Sequence, residues 1–224
     1  LASSEAVGAL SGAGLVDLRN STLTLGGGTA TTFSGVVSGS GSLVKSGAAV
    51  FTLSGANTFL GGVALSAGAI QVGDDAALGT GLLTFSGGRL STADSTARTI
   101  ANAMALTGTL TFGDALNSGT LTVTGGAALQ SEVTLVIASS AVLSGVMSGS
   151  YGFVKDGGAE LTLSGANTFS GPTDVSSGTL NLSGGAALVD SMVVTVGLNG
   201  KLRLASSEEI ATLLGAGAVE LQSS

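Results

Sequence analysis

The string LTLSGANTFSG at residues 161–171 repeats FTLSGANTFLG at residues 51–61, with an offset of 110 positions in a chain of 224. The match is wider than the string. Residues 34–72 align without a gap on 144–182, and the correspondence continues to 78 and 188. A second repeat joins the ends: LASSEAVGALSGAGLVDL at 1–18 matches LASSEEIATLLGAGAVEL at 204–221, with a shift of 203. Self-similarity of this kind calls for stacked structural units, because each unit buries its apolar face only against its neighbours.

The units are strands. STLTLGG (21–27), AVFTLSG (49–55), GTLTFGD (108–114), GTLTVTGG (119–126), EVTLVI (132–137), ELTLSG (160–165), GTLNLSGG (178–185) and GKLRLAS (200–206) alternate apolar with small polar residues. A period of two puts one face inward and the other outward. Gly, Asn, Asp and Ser punctuate these runs as turns. The spacing predicts strands of three to five residues about every ten. SSEEIATLLG (206–215) is the one segment read as a short helix, with Ser207 as its N-cap. SSEAVGALSG (3–12) carries two glycines and is expected to form a loop or single turn.

Propeller blades and leucine-rich repeats have their own periods and signatures, and neither fits. An all-β parallel β-helix does, since its coils vary in length at the corners. At roughly 20–25 residues per coil the chain makes about nine to eleven coils, and at about 4.8 Å per coil a rod on the order of 45–50 Å long. The whole of 1–224 reads as one such fragment of a longer repetitive chain, with internal repeats 34–78 and 144–188 and end repeats 1–18 and 204–221.

Composition supports burial without large aromatics. The chain has 38 Gly, seven Phe, one Tyr and no Trp, and a mean hydropathy of +0.58. Disorder needs lower hydrophobicity and higher charge than this. The net charge of −7, with seven scattered Lys and Arg, argues against a nucleic-acid partner. No apolar run reaches the length of a membrane-spanning helix. Leu1 opens the chain without a Met or a signal-peptide pattern, so it reads as mature or excised. The absence of Cys excludes disulfides and thiolate metal sites, and the absence of His excludes Ser-His and Cys-His nucleophile systems.

GSYGFVKDGGAELTLSGANTFSGPTDVSSGTLNLSGG (149–185) resembles the passenger-associated transport repeat of bacterial autotransporter passengers. The elements that carry the resemblance are Gly152, Val154-Lys155, Gly157, Leu161 to Gly165, Asn167-Thr168-Phe169, Gly171, Val175, Gly178, and Leu180 with Leu182. The first copy matches through Gly39, Gly41, Lys45, Gly47, Leu53 to Gly55, Asn57-Thr58-Phe59, Gly61, Gly68 and Ile70. It departs at Gly62-Val63-Ala64, where the second copy has Pro172-Thr173-Asp174. The resemblance implies a right-handed β-helix carried to the bacterial cell surface or released from it, with a translocator barrel elsewhere in the full chain. It also implies a stalk or adhesin, with host-cell, matrix or self-association contacts and no cofactor.

Within the doubled string, Asn57 and Asn167 read as corner residues that tolerate the left-handed region and bond their own backbone, with a possible amide ladder between coils; a ligand contact is the alternative. Phe59 and Phe169 are expected to fill the core. Gly55, Gly61, Gly165 and Gly171 are expected to supply positive φ. Asp74-Asp75 reads as a solvated turn rather than a calcium site, which needs six to eight oxygens. The Thr-x-Thr strings read as solvated strand faces rather than an ice-binding array. Two other functions stand beside the adhesin: a polysaccharide-active β-helix enzyme, which needs converging carboxylates, and a ligand-free spacer.

Overall fold

The computed structural model describes residues 1–190 and 192–222. Ser191 and residues 223–224, which the sequence reading includes in its single unit, lie outside the described residues. The chain is a parallel β-solenoid of about 11 turns. Among the described residues twenty-one strands join in one sheet, Leu15–Asp17 and Val36–Ser38 pair separately, and every pairing is parallel. No helix forms among the described residues.

Three sides stack along the rod, each with an inward column of buried residues. On the first side, Leu43, Val63, Leu83, Met104, Ala127 and Met147 follow one another coil by coil. On the second, Phe51, Ile70, Leu90, Phe112 and Ile137 do so. The third runs through Leu121, Ala141, Leu161, Leu180 and Leu202. All of these are buried. Alternation alone accounts for them, because every second side chain of a strand faces the interior. Two edge-to-face pairs, Phe85 with Phe112 at 5.4 Å and Phe153 with Phe169 at 5.5 Å, thicken a core otherwise made of aliphatic layers.

Coil length varies. Leu43 pairs with Val63 and Val63 with Leu83, a step of 20 residues. Midway the step widens to 25, where Phe112 pairs with Ile137. It shrinks to 17 at the last coil, where Lys201 pairs with Ala218. The expected strand length holds for most strands, but four run 9 to 12 residues: Met104–Phe112, Ala127–Ile137, Thr173–Leu182 and Val193–Leu204. Two of these shift register on the way, between Leu106 and Gly108 and between Val175 and Ser177, so the strand bends from one stretch of ladder to the next without ending.

Both end segments depart from the sequence reading. Residues 206–215 form no helix; Thr212–Gly215 is a strand paired with Val193–Val196. Residues 3–12 contain the strand Glu5–Val7, paired with Leu23–Leu25. In both places a neighbouring coil offers a complete row of backbone partners, and that ladder outweighs a weak local propensity.

Candidate functional site

The repeated string lies at a corner and in the side that follows it. Asn57 and Asn167 are buried, but neither has positive φ; among the described residues the only non-glycine residue that does is Arg19. They do not bond their own backbone two residues on, nor do they stack on one another. Each amide spans three coils instead. Asn57 Oδ1 accepts the Val37 N–H at 2.7 Å, and its Nδ2 donates to the Ala77 carbonyl at 2.6 Å, each 20 residues away. Asn167 does the same between the Met147 N–H and the Ala187 carbonyl, both at 2.7 Å. The side chain replaces two backbone bonds that the ladder lacks at a corner, where those groups would otherwise be buried without partners. Phe59 and Phe169, two residues on, are fully buried beside it.

The expected role of the four motif glycines is corrected. Gly55, Gly61, Gly165 and Gly171 are absent from the positive-φ positions. What excludes a side chain is the adjoining coil. A Cβ on Gly55 would lie 1.9 Å from the Gly35 carbonyl oxygen, and one on Gly165 would lie 2.4 Å from that of Gly145. On Gly171 it would lie 2.0 Å from the Gly152 nitrogen. These glycines permit coil-to-coil approach, and the turning is done by others such as Gly62 and Gly68.

Two further residues of the motif, Lys45 and Lys155, serve the frame as well. Both are buried. Lys155 Nζ donates to the carbonyls of Gly157, Ala159 at 2.6 Å and Ser177 at 2.8 Å. Lys45 Nζ donates to the Gly47 and Ala67 carbonyls. Each ammonium caps the carbonyls of two successive coils. The signal was present in the alternation: Leu43 and Lys45, like Phe153 and Lys155, share the inward face of one strand. Gly68 and Gly178 make room, since a Cβ there would lie 2.6 Å and 2.4 Å from the respective Nζ atoms.

Burial pushes the Lys155 ammonium down to about 8, against the opposing pull of Asp156 and Glu160. Burial lowers Lys45 as well. The unfolded chain therefore keeps the Lys155 proton in a window where the folded chain has lost it. Stability contributed at this site is level below about pH 8, rises from there toward the ordinary lysine value of 10.5, and is level above it. Denaturation midpoints of the wild type and Lys155→Met, compared across that window, are expected to diverge in the wild type's favour as pH rises. A pH-independent difference would refute the assignment.

Several acidic residues are spent on the frame. Asp74 accepts the Ala76 N–H at 2.8 Å, and Asp75 accepts the Thr99 N–H of the next coil at 2.9 Å. Glu208 accepts from the Ala187 and Leu188 N–H groups. Asp114 pairs with Arg89 at 2.8 Å, and Arg203 bridges Glu160 and Glu220. No group of three or more Asp and Glu residues converges among the described residues. The Thr residues do not align through every coil either: Thr99 and Thr122 are followed by Val142, and Thr52 by Gln71.

The two copies of the motif occupy different sides of the rod. Leu43 begins the first copy on the first side, while its counterpart Phe153 pairs with Val133 in the strand that runs on to Ile137 on the second. Phe51 belongs to the second side and its counterpart Leu161 to the third. Asn167 stands above Met147, in the column that Leu43 opens. The second copy is displaced by one side about the rod axis.

Two stretches, residues 43–72 and 153–182, match the family model described as Passenger-associated-transport-repeat. The chain is 36% identical over 197 residues to the Adhesin BmaC autotransporter of Brucella suis biovar 1 (strain 1330), an alignment covering 84% of this chain and 5% of that protein. The chain thus spans about one twentieth of its relative's length. No solved structure matches significantly. Two transport repeats, each stapled through buried Asn and Lys side chains, and homology to an adhesin autotransporter make this chain an autotransporter-passenger-like β-solenoid segment.

Proposed function

We propose that this segment is a rigid, non-enzymatic stalk of a surface-exposed or secreted passenger, and that its outer sides adhere to host cells, matrix or sister rods. The observation that carries the reading is that the polar side chains of the repeated motif are directed into the frame. Its Asn amides and Lys ammoniums join coils, and carboxylates such as Glu208 and Glu160 cap backbone N–H groups or pair with Arg. What remains for a partner is the rod's outer surface.

The first side favours contact over mere spacing. Val44, Ala64, Thr84, Ala128 and Ser148 alternate there with the inward column, and none is charged. Charge gathers on the other sides, at Asp156 and Asp174 and at Glu160, Lys201, Arg203 and Glu220. A flat neutral strip costs little to desolvate, and weak contacts repeated along a rod add through avidity.

The test is binding of the purified segment to host-cell monolayers, matrix-coated surfaces and itself, together with Thr84→Glu, an exposed change on the neutral side. Binding that Thr84→Glu weakens, at unchanged Tm, is the expected result. A segment that binds nothing is a spacer, and release of reducing ends from polysaccharides would overturn the non-enzymatic reading.

A further inference from the structure

The first coil contains a glycine that its own surroundings do not explain. A Cβ on Gly14 would meet nothing within 4 Å. The end repeat aligns Gly14 with Gly217, and there a Cβ would lie 2.2 Å from the Gly197 carbonyl oxygen of the coil before. Gly12 and its counterpart Gly215 behave alike. They share a positive φ, 114° and 104°, yet a Cβ on Gly12 meets nothing and one on Gly215 would lie 2.0 Å from the Val196 oxygen. The first coil thus carries the glycines of a coil packed on both faces.

The hydrogen bonding of the two end coils is complementary. The first coil pairs only with the coil that follows it, through Glu5–Val7, Gly12 and Leu15–Asp17. Among the described residues the last pairs only with the coil before it, through Thr212–Gly215 and Ala218–Leu221. Superposed by the 203-residue shift, the two sets make one coil bonded on both faces, since a parallel strand can pair with a neighbour on each edge. Charges agree as well. Glu208 caps the N–H groups of Ala187 and Leu188, and its counterpart Glu5 is exposed. Glu220 pairs with Arg203 and Lys201, and Asp17 holds the same sign at the matching position.

We infer that the open face of the first coil receives a coil with the sequence of residues 193–204 from a preceding copy of this unit, so that 203-residue units join in tandem as one uninterrupted solenoid. The join needs no linker, because the coil 204–221 of one unit is the coil 1–18 of the next. This goes beyond the adhesive reading and does not depend on it.

The test is a tandem chain, residues 1–203 followed directly by 1–222, compared with the single segment by thermal unfolding and small-angle scattering. The expected result is one cooperative transition at a higher Tm than the single segment, in a particle about twice as long and unbent. Gly14→Val in the second copy is expected to lower the tandem's Tm or split its transition, whereas the same change in the single segment leaves Tm unmoved. Independent unfolding of two units at the single-segment Tm, failure of the tandem to fold, or equal damage by Gly14→Val in the single segment would each overturn the inference.

Discussion

Asn167→Ala is expected to destabilise the solenoid by about 2–6 kcal/mol, because two buried backbone groups lose their partners at once, each worth roughly 1–3 kcal/mol when left unsatisfied. The Met147 N–H and the Ala187 carbonyl lie one coil below and one coil above, and the Asn167 amide is what reaches both. Asn167→Asp separates the two bonds. It keeps an acceptor for Met147 but turns the donor facing Ala187 into a second acceptor, so it too should destabilise. Asn57→Ala should behave in the same way through Val37 and Ala77. Chemical denaturation reads the loss, and hydrogen exchange locates it: the amide of Met147 should lose protection in Asn167→Ala while strands several coils away keep theirs. In a solenoid each coil is supported by its neighbours alone, so loss of protection throughout the rod would count against the staple.

The second large effect is expected from Gly55→Val. Its Cβ would lie 1.9 Å from the Gly35 oxygen and 2.8 Å from the Gly35 carbonyl carbon. Backbone on both sides cannot yield as a flexible side chain would, so the coils must separate and ladder bonds nearby must lengthen or break. The cost is about 3 kcal/mol or more, at the upper end of overpacking effects. Gly158→Val is the matched control, since a Cβ there meets nothing within 4 Å and its φ is not positive. Urea midpoints should fall sharply for the first variant and stay near wild type for the second. Equal effects would show that close approach between coils is not what the motif glycine provides.

Much of this frame was legible in the residues. Strings such as ELTLSG and GTLTVTGG declare strands because alternation is a local property, and stacking follows because no single strand can bury its face alone. The inward turn of Lys45 and Lys155 was also legible, since each stands two residues from an inward Leu43 or Phe153; it was missed because Lys is ordinarily read as solvated. The glycines were read as turn formers although their role is to admit a neighbour, and a neighbour about 20 residues away leaves no mark on the local pattern. The helix read at 206–215 failed for the same reason, as Thr212–Gly215 takes its conformation from Val193–Val196.

The sequence by itself determined that the chain is built of short alternating strands, that it repeats, and that Asn, Phe and Gly recur together at fixed spacing. Only the tertiary structure decided which coil each strand meets. The two copies lie 110 residues apart, whereas the five coils from Leu43 to Met147 take 104 residues, so the second copy starts one side further round the rod than the first. The physical reason is that coil length is fixed by backbone pairing between distant residues, where corners absorb extra residues without disturbing the period of two on either side.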